Sequence, residues 1–158
     1  MARRDVGRLV VSLAVCYGAG GIGSMFTAPK IPTWYAALER PAFTPPDAVF
    51  MPVWLTLYAL MGVAVFLIWR RGLNTEGVKV PFVLFWVQLV LNALWSVVFF
   101  GQESILGGFI IILALGVILL ITIIKSFRVS RVAGGLLIPY IVWIGIASSL
   151  NAGILMLN

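Results

Sequence analysis

The chain has 158 residues, of which 62% are hydrophobic and only 10% charged, with a mean hydropathy of +1.11 and a net charge of +6. A soluble domain carries about 25% charged residues, so a soluble enzyme, a disordered chain and a disulfide scaffold are excluded, and an integral membrane protein is left. With no histidine, one cysteine (Cys16) and five acidic residues, a metal site, a Cys–His nucleophile and an intrachain disulfide lack their parts, and little remains for general acid–base work.

A helix needs roughly 20 apolar residues to cross a bilayer. Five stretches qualify, Leu9–Phe26, Ala48–Trp69, Val80–Gly101, Ile105–Ile124 and Val132–Leu157. They predict an all-α bundle of five transmembrane helices in a single domain, residues 1–158, with a long first loop.

The first span follows Arg3, Arg4 and Arg8 and looks like a signal peptide, with Leu13-Ala14-Val15-Cys16 resembling a lipoprotein cleavage site. Four further spans follow it, so it is read as the first helix rather than as a leader. Gly18 to Gly23 spells G-x-G-x-x-G, but a dinucleotide site needs that motif between a strand and a helix. Small residues at Ala14/Gly18 and Ala19/Gly23 are instead read as places where another helix approaches closely. Cys16 reads as a small packing residue.

The connection Thr27–Asp47 is rich in Pro, Trp and Tyr and holds Trp34, Tyr35 and Pro46. In the second span Trp54 and Tyr58 stand one turn apart after Pro52. In the third, Gln88, Asn92, Trp95, Ser96 and Phe99 share one helical face. The fourth has only Thr122 as a polar group and reads as a lipid-facing or packing helix. In the fifth, Tyr140, Trp143, Ala147 and Asn151 recur at helical spacing, with Ser148 beside them.

Polar side chains within a span normally face the bundle interior. These stripes converge at one depth under the first loop and predict an aromatic-lined pocket for a flat, largely apolar ligand. The bland alternative is that the aromatic residues anchor helices at the interface and the amides tie helices together.

Lysine and arginine sort by side. Arg3, Arg4, Arg8, Arg70, Arg71, Lys79, Lys125, Arg128 and Arg131 fall on one side; only Lys30 and Arg40 fall on the other. The positive-inside rule then places the N-terminus in the cytoplasm, with the long loop and the C-terminus outside. The basic surplus is a topology signal, and no nucleic-acid partner is expected.

These residues resemble the translocator protein family, also called tryptophan-rich sensory protein or peripheral-type benzodiazepine receptor (TspO/MBR). The motifs are Trp34-Tyr35-x-x-Leu38-x-Arg40-Pro41-x-Phe43-x-Pro45-Pro46, Pro52-x-Trp54-x-x-Leu57-Tyr58, Gln88-Leu89-x-x-Asn92-x-x-Trp95-Ser96-x-x-Phe99-Phe100 and Pro139-Tyr140-x-x-Trp143, followed by Leu150-Asn151. The resemblance implies a five-helix bundle, usually a homodimer, with a ligand pocket closed by the first loop. It also implies binding of porphyrins such as protoporphyrin IX and of synthetic benzodiazepine and isoquinoline ligands, with no obligatory cofactor. Positions matching the family pocket are Trp34, Tyr35, Pro46, Trp54, Tyr58, Asn92, Trp95, Trp143, Ala147 and Ser148, to which the third-span stripe adds Gln88 and Ser96.

Two departures stand out. The Tyr-then-basic motif linked to cholesterol in animal members is absent from Leu150-Asn151-Ala152-Gly153-Ile154, and Phe43 stands where many members carry Trp. The short C-terminus and the charge asymmetry suggest a prokaryotic inner-membrane member.

The leading functional expectation is a receptor, sensor or transporter for tetrapyrroles. Ligand would enter beneath the loop, stack on Trp54, Trp95 and Trp143, and hydrogen-bond through Tyr35, Asn92 or Ser148. Two alternatives stand beside it: a light-dependent porphyrin-degrading enzyme using Trp34, Trp54, Trp95 or Trp143, and a structural or regulatory membrane partner without an obligatory ligand.

Overall fold

Within a bilayer the backbone has no water to bond, so an apolar segment satisfies its N–H and C=O groups internally as a helix. The computed structural model, which describes all residues from Met1 to Asn158, follows that rule and has no strand. Its helices are α1 (Arg3–Thr27), α2 (Asp47–Arg70), α3 (Lys79–Ser96), α4 (Ile105–Val129), α5 (Arg131–Leu136) and α6 (Ile138–Leu157). Wide π-type turns add Ile31–Tyr35 in the first connection and prolong α3 through Val97–Gly101. Five segments are long and apolar enough to span a membrane, with α5 and α6 together forming the fifth.

The boundaries differ from the sequence expectation in three places. α1 begins at Arg3 rather than Leu9, because Asp5 in its first turn lies 3.9 Å from Arg8 and 3.6 Å from Arg70 and keeps the charged end helical. α4 continues past Ile124 to Val129, so Lys125 and Arg128 belong to the helix and not to a loop. Ser126 is buried there and donates its hydroxyl to the Thr122 carbonyl at 2.6 Å. The fifth span breaks at Leu137, two residues before Pro139, whose ring and missing N–H cannot continue the preceding turn. Ser130 caps α5 by accepting from the Ala133 N–H at 3.2 Å.

The helices close a ring in the order α1, α2, α5–α6, α4, α3. α4 packs between α3 and α6, burying Ile112, Leu115 and Leu119 while Leu113, Val117 and Leu120 stay exposed on its other side. Of the two readings offered for the fourth span, it serves as both. The core is densest toward the basic end of the bundle, where Met61, Ile68, Phe85, Leu119 and Leu137 are fully buried. Toward the loop end no equivalent plug of aliphatic residues fills the ring.

The glycine motif of α1 sits within a helix, in a fold that has no strand to build a βαβ unit. Gly20 lies so close to α2 that a Cβ there would stand 2.6 Å from the Tyr58 ring, and one on Gly23 would stand 3.1 Å from the Ser96 hydroxyl. Small residues therefore let α1 lie flat on α2 and α3, whereas Ala14 and Gly18 face outward.

Candidate functional site

At mid-bundle three helices are joined by buried polar side chains. Tyr58 on α2 donates to Asn92 Oδ1 at 2.6 Å, Asn92 Nδ2 donates to the Tyr140 hydroxyl at 2.7 Å, and Tyr140 donates to Gln88 Oε1 at 2.9 Å. Gln88 Nε2 ends the chain on the Met61 sulfur at 3.8 Å. Each group alone would be costly in a membrane interior, and the series satisfies them in turn. Trp54 caps this floor, stacked on Tyr58 at 5.6 Å between ring centroids and edge-on to Tyr140 at 6.3 Å.

Above the floor lies a cavity of about 410 Å³. α2 and α3 contribute Trp54, Tyr58, Asn92, Trp95 and Ser96 to its wall; α6 contributes Trp143 and Ala147, and the loop contributes Tyr35. Trp95 is held in place by donating its indole N–H to Asn151 Oδ1 at 3.2 Å and by stacking on Phe99 at 5.2 Å. Trp143 meets Phe50 edge-on at 5.6 Å, so aromatic rings join α6 to α2 across the cavity. The small side chain of Ala147, one turn on, leaves the space open.

Four candidates stand apart from this wall. Gln88 lies one turn below Asn92, beneath the floor. Ser148 is rotated about 100° from Ala147 and returns its hydroxyl to the Ile144 carbonyl at 2.7 Å. Trp34 packs edge-on against Phe99 at 5.3 Å, behind the wall, and Pro46 precedes α2 without reaching the cavity. Asn92 keeps its place in the cavity wall with one lone pair and one N–H committed to Tyr58 and Tyr140, whereas Ser148 lies off the wall with its hydroxyl proton on the Ile144 carbonyl. Among the cavity-lining side chains, the buried polar atom without a partner is the Trp143 indole nitrogen.

The fifth-span stripe had placed Tyr140, the hub of the floor, and Asn151, which lines the wall. The stripes left out the side that α1 supplies through Tyr17, Gly20, Gly23 and Ser24, and Phe50 on α2.

The Thr27–Asp47 connection roofs the cavity and is tied down at several points. Lys30 pairs with Glu103 at the α3–α4 turn, and Arg40 pairs with Asp47 at 3.2 Å. The Asn158 side chain donates to the Glu39 carbonyl at 2.8 Å and accepts from the Glu39 N–H at 3.1 Å. Pro41 rests directly on Gly153, where any larger residue would push the roof away. The Arg40 guanidinium sits 4.9 Å over the Tyr35 ring. Burial holds the Tyr35 phenol above its ordinary pKa, partly offset by Arg40, so Tyr35 faces the cavity neutral.

The sequence signature of the TspO/MBR family matches residues 12–157. A tryptophan-rich protein TspO from Archaeoglobus fulgidus is 42% identical over 152 residues, covering 96% of this chain and 97% of that protein. A translocator protein from Homo sapiens is 36% identical over 131 residues, covering 82% and 78%. A tryptophan-rich sensory protein from Cereibacter sphaeroides is 30% identical over 146 residues, covering 92% and 88%.

Proposed function

The chain belongs to the TspO/MBR family, and from that premise we propose that it is a membrane receptor whose cavity binds porphyrins, protoporphyrin IX among them, and similar flat apolar ligands. The observation that carries this reading is the convergence of Trp54, Trp95 and Trp143, from three different helices, on one cavity of about 410 Å³. That volume lies within the range of about 300–1,000 Å³ typical of small-molecule sites. Ring faces give a planar macrocycle broad contact at low entropic cost.

The receptor sits in a prokaryotic inner membrane with its N-terminus in the cytoplasm. This orientation is supported by the arginines and lysines gathered at the end of the bundle opposite the loop. A homodimer is the assembly we assign, as the family resemblance implies.

Titration of the detergent-solubilised protein with protoporphyrin IX, followed by tryptophan fluorescence, tests the reading. Saturable quenching that weakens in Trp143→Phe supports it. Quenching that never saturates, or that matches free tryptophan in the same detergent, overturns it.

A further inference from the structure

The cavity is closed above and below but not at its side. Its exposed lining residues all lie on α1, its C-cap or α2; they include Tyr17, Gly21 and Ser24 on one helix and Met51 and Leu55 on the other. The lining residues on α3, α6 and the Ile31–Tyr35 turn are buried or half-buried. The opening is therefore a slot between the C-terminal half of α1 and the N-terminal half of α2.

Its shape follows from the glycines. Near the basic end the two helices touch, since a Cβ on Gly62 would stand 3.0 Å from the Leu13 Cα. The Tyr17 hydroxyl then crosses from α1 to donate to the Leu55 carbonyl at 3.0 Å, forming a sill. Beyond it a Cβ on Gly21 would meet nothing within 4 Å. From Leu55 to the start of α2 at Asp47 the slot runs about 12 Å along the helix axis.

Both flanking helices are membrane spans, so the slot faces lipid. Its hydroxyls are turned inward to the backbone, Ser24 to the Gly21 carbonyl at 2.9 Å and Thr27 to the Gly23 carbonyl at 3.0 Å. What remains at the rim is mostly apolar. The water-facing roof, by contrast, is held by the Lys30–Glu103 and Arg40–Asp47 pairs and by Asn158.

We infer that ligand reaches the cavity sideways, from the loop-side leaflet of the bilayer, through the α1–α2 slot, with the loop serving as a fixed roof. This rests on the reading of the cavity as a ligand site. It also defines the ligand class more narrowly, as molecules that partition into hydrocarbon before they bind. α1 is the least buried of the five spans, so widening the slot for a broad ligand disturbs little of the core.

The test uses the full chain in phosphatidylcholine nanodiscs with protoporphyrin IX as the probe. Association is followed by stopped-flow quenching, and dissociation by transfer to empty vesicles. Gly21→Trp fills the slot from α1, and Met51→Trp fills it from α2 should the first variant fold poorly. Gly18→Trp, equally free of neighbours but away from the cavity, controls for bulk on α1. Glu103→Gln releases one tie of the roof.

A slot variant is expected to slow association and dissociation together by about tenfold while the equilibrium constant moves less than about twofold, because a barrier raised on the only path affects both directions equally. Gly18→Trp and Glu103→Gln are expected to leave both rates unchanged. Unchanged rates in both slot variants, or faster exchange in Glu103→Gln, would make the roof the door and overturn the inference. So would an equal slowing by Gly18→Trp. Absence of saturable binding in the unaltered protein would instead overturn the ligand-site reading itself.

Discussion

Tyr58 on α2 and Asn92 on α3 share a hydrogen bond of 2.6 Å, and it marks the boundary between the packed half of the bundle and its open half. Below it the core is aliphatic and tight; above it the walls are aromatic and stand apart. Asn92 also gives one N–H to Tyr140, so the amide ties α2, α3 and α6 together. In the proposed receptor, recognition rests chiefly on ring faces and shape.

Tyr140 carries more of this floor than Tyr58. It accepts from Asn92 and donates to Gln88, so Tyr140→Phe strands two buried partners where Tyr58→Phe strands one. Interhelical hydrogen bonds in membranes average roughly 0.6 kcal/mol, up to about 1.7 kcal/mol. Reversible unfolding in mixed detergent micelles should show the larger loss in Tyr140→Phe. Equal losses would mean that the network is not organised around Tyr140.

Gly20→Ala should destabilise the protein by about 1–3 kcal/mol, the usual penalty for overpacking. Its new methyl group would stand 2.6 Å from a Tyr58 ring that is pinned by Asn92 and stacked on Trp54. Gly21→Ala, one residue on and facing open space, should be close to neutral in the same melt. A neutral Gly20→Ala would show that Tyr58 moves freely.

The roof ties are half-exposed ion pairs, each contributing less than about 1 kcal/mol and weakening with salt. Removing both, in Lys30→Gln with Arg40→Gln, should hasten chymotrypsin cleavage within the Thr27–Asp47 connection while the helices stay intact. High salt should have the same effect on the unaltered protein and little on the double variant. Cleavage insensitive to both changes would leave Asn158 and the Pro41–Gly153 contact holding the roof.

Haem should bind no tighter than metal-free protoporphyrin IX. The chain has no histidine; Cys16 is fully buried away from the cavity, and Tyr58 is committed to Asn92. Only Met51, at the slot, offers a sulfur to the lining. Absorbance titration with haem checks this: a sharp Soret band of a coordinated iron would contradict it.

The spans were legible because length and hydropathy leave an apolar run few options in lipid, and α2 and α3 with its final π turn begin and end within one residue of expectation. The break at Leu137 was signalled only by Pro139, inside a run otherwise apolar throughout. Helical stripes located Trp54, Asn92, Trp95 and Trp143, since periodicity fixes which face a residue occupies. It does not fix depth, which is why Gln88 shared the stripe yet lies below the floor. Nor could it aim Trp34 and Pro46, which lie in a connection without a repeating face. α1 was the harder case. Of the two pairs read as close approaches, Ala19/Gly23 does bring Gly23 against Ser96 while Ala14/Gly18 faces outward, and a missing side chain says nothing of the tight fit of Gly20 on Tyr58 or the open space at Gly21.

The most direct test fills the cavity without touching its polar groups. Ala147→Leu adds bulk to the α6 wall, one turn from Trp143. Titration with protoporphyrin IX, alongside a thermal melt to verify folding, should show affinity falling by roughly tenfold or more, the equivalent of ~1.4 kcal/mol. Unchanged affinity in a folded Ala147→Leu variant would place the porphyrin outside the cavity and contradict the proposed receptor site.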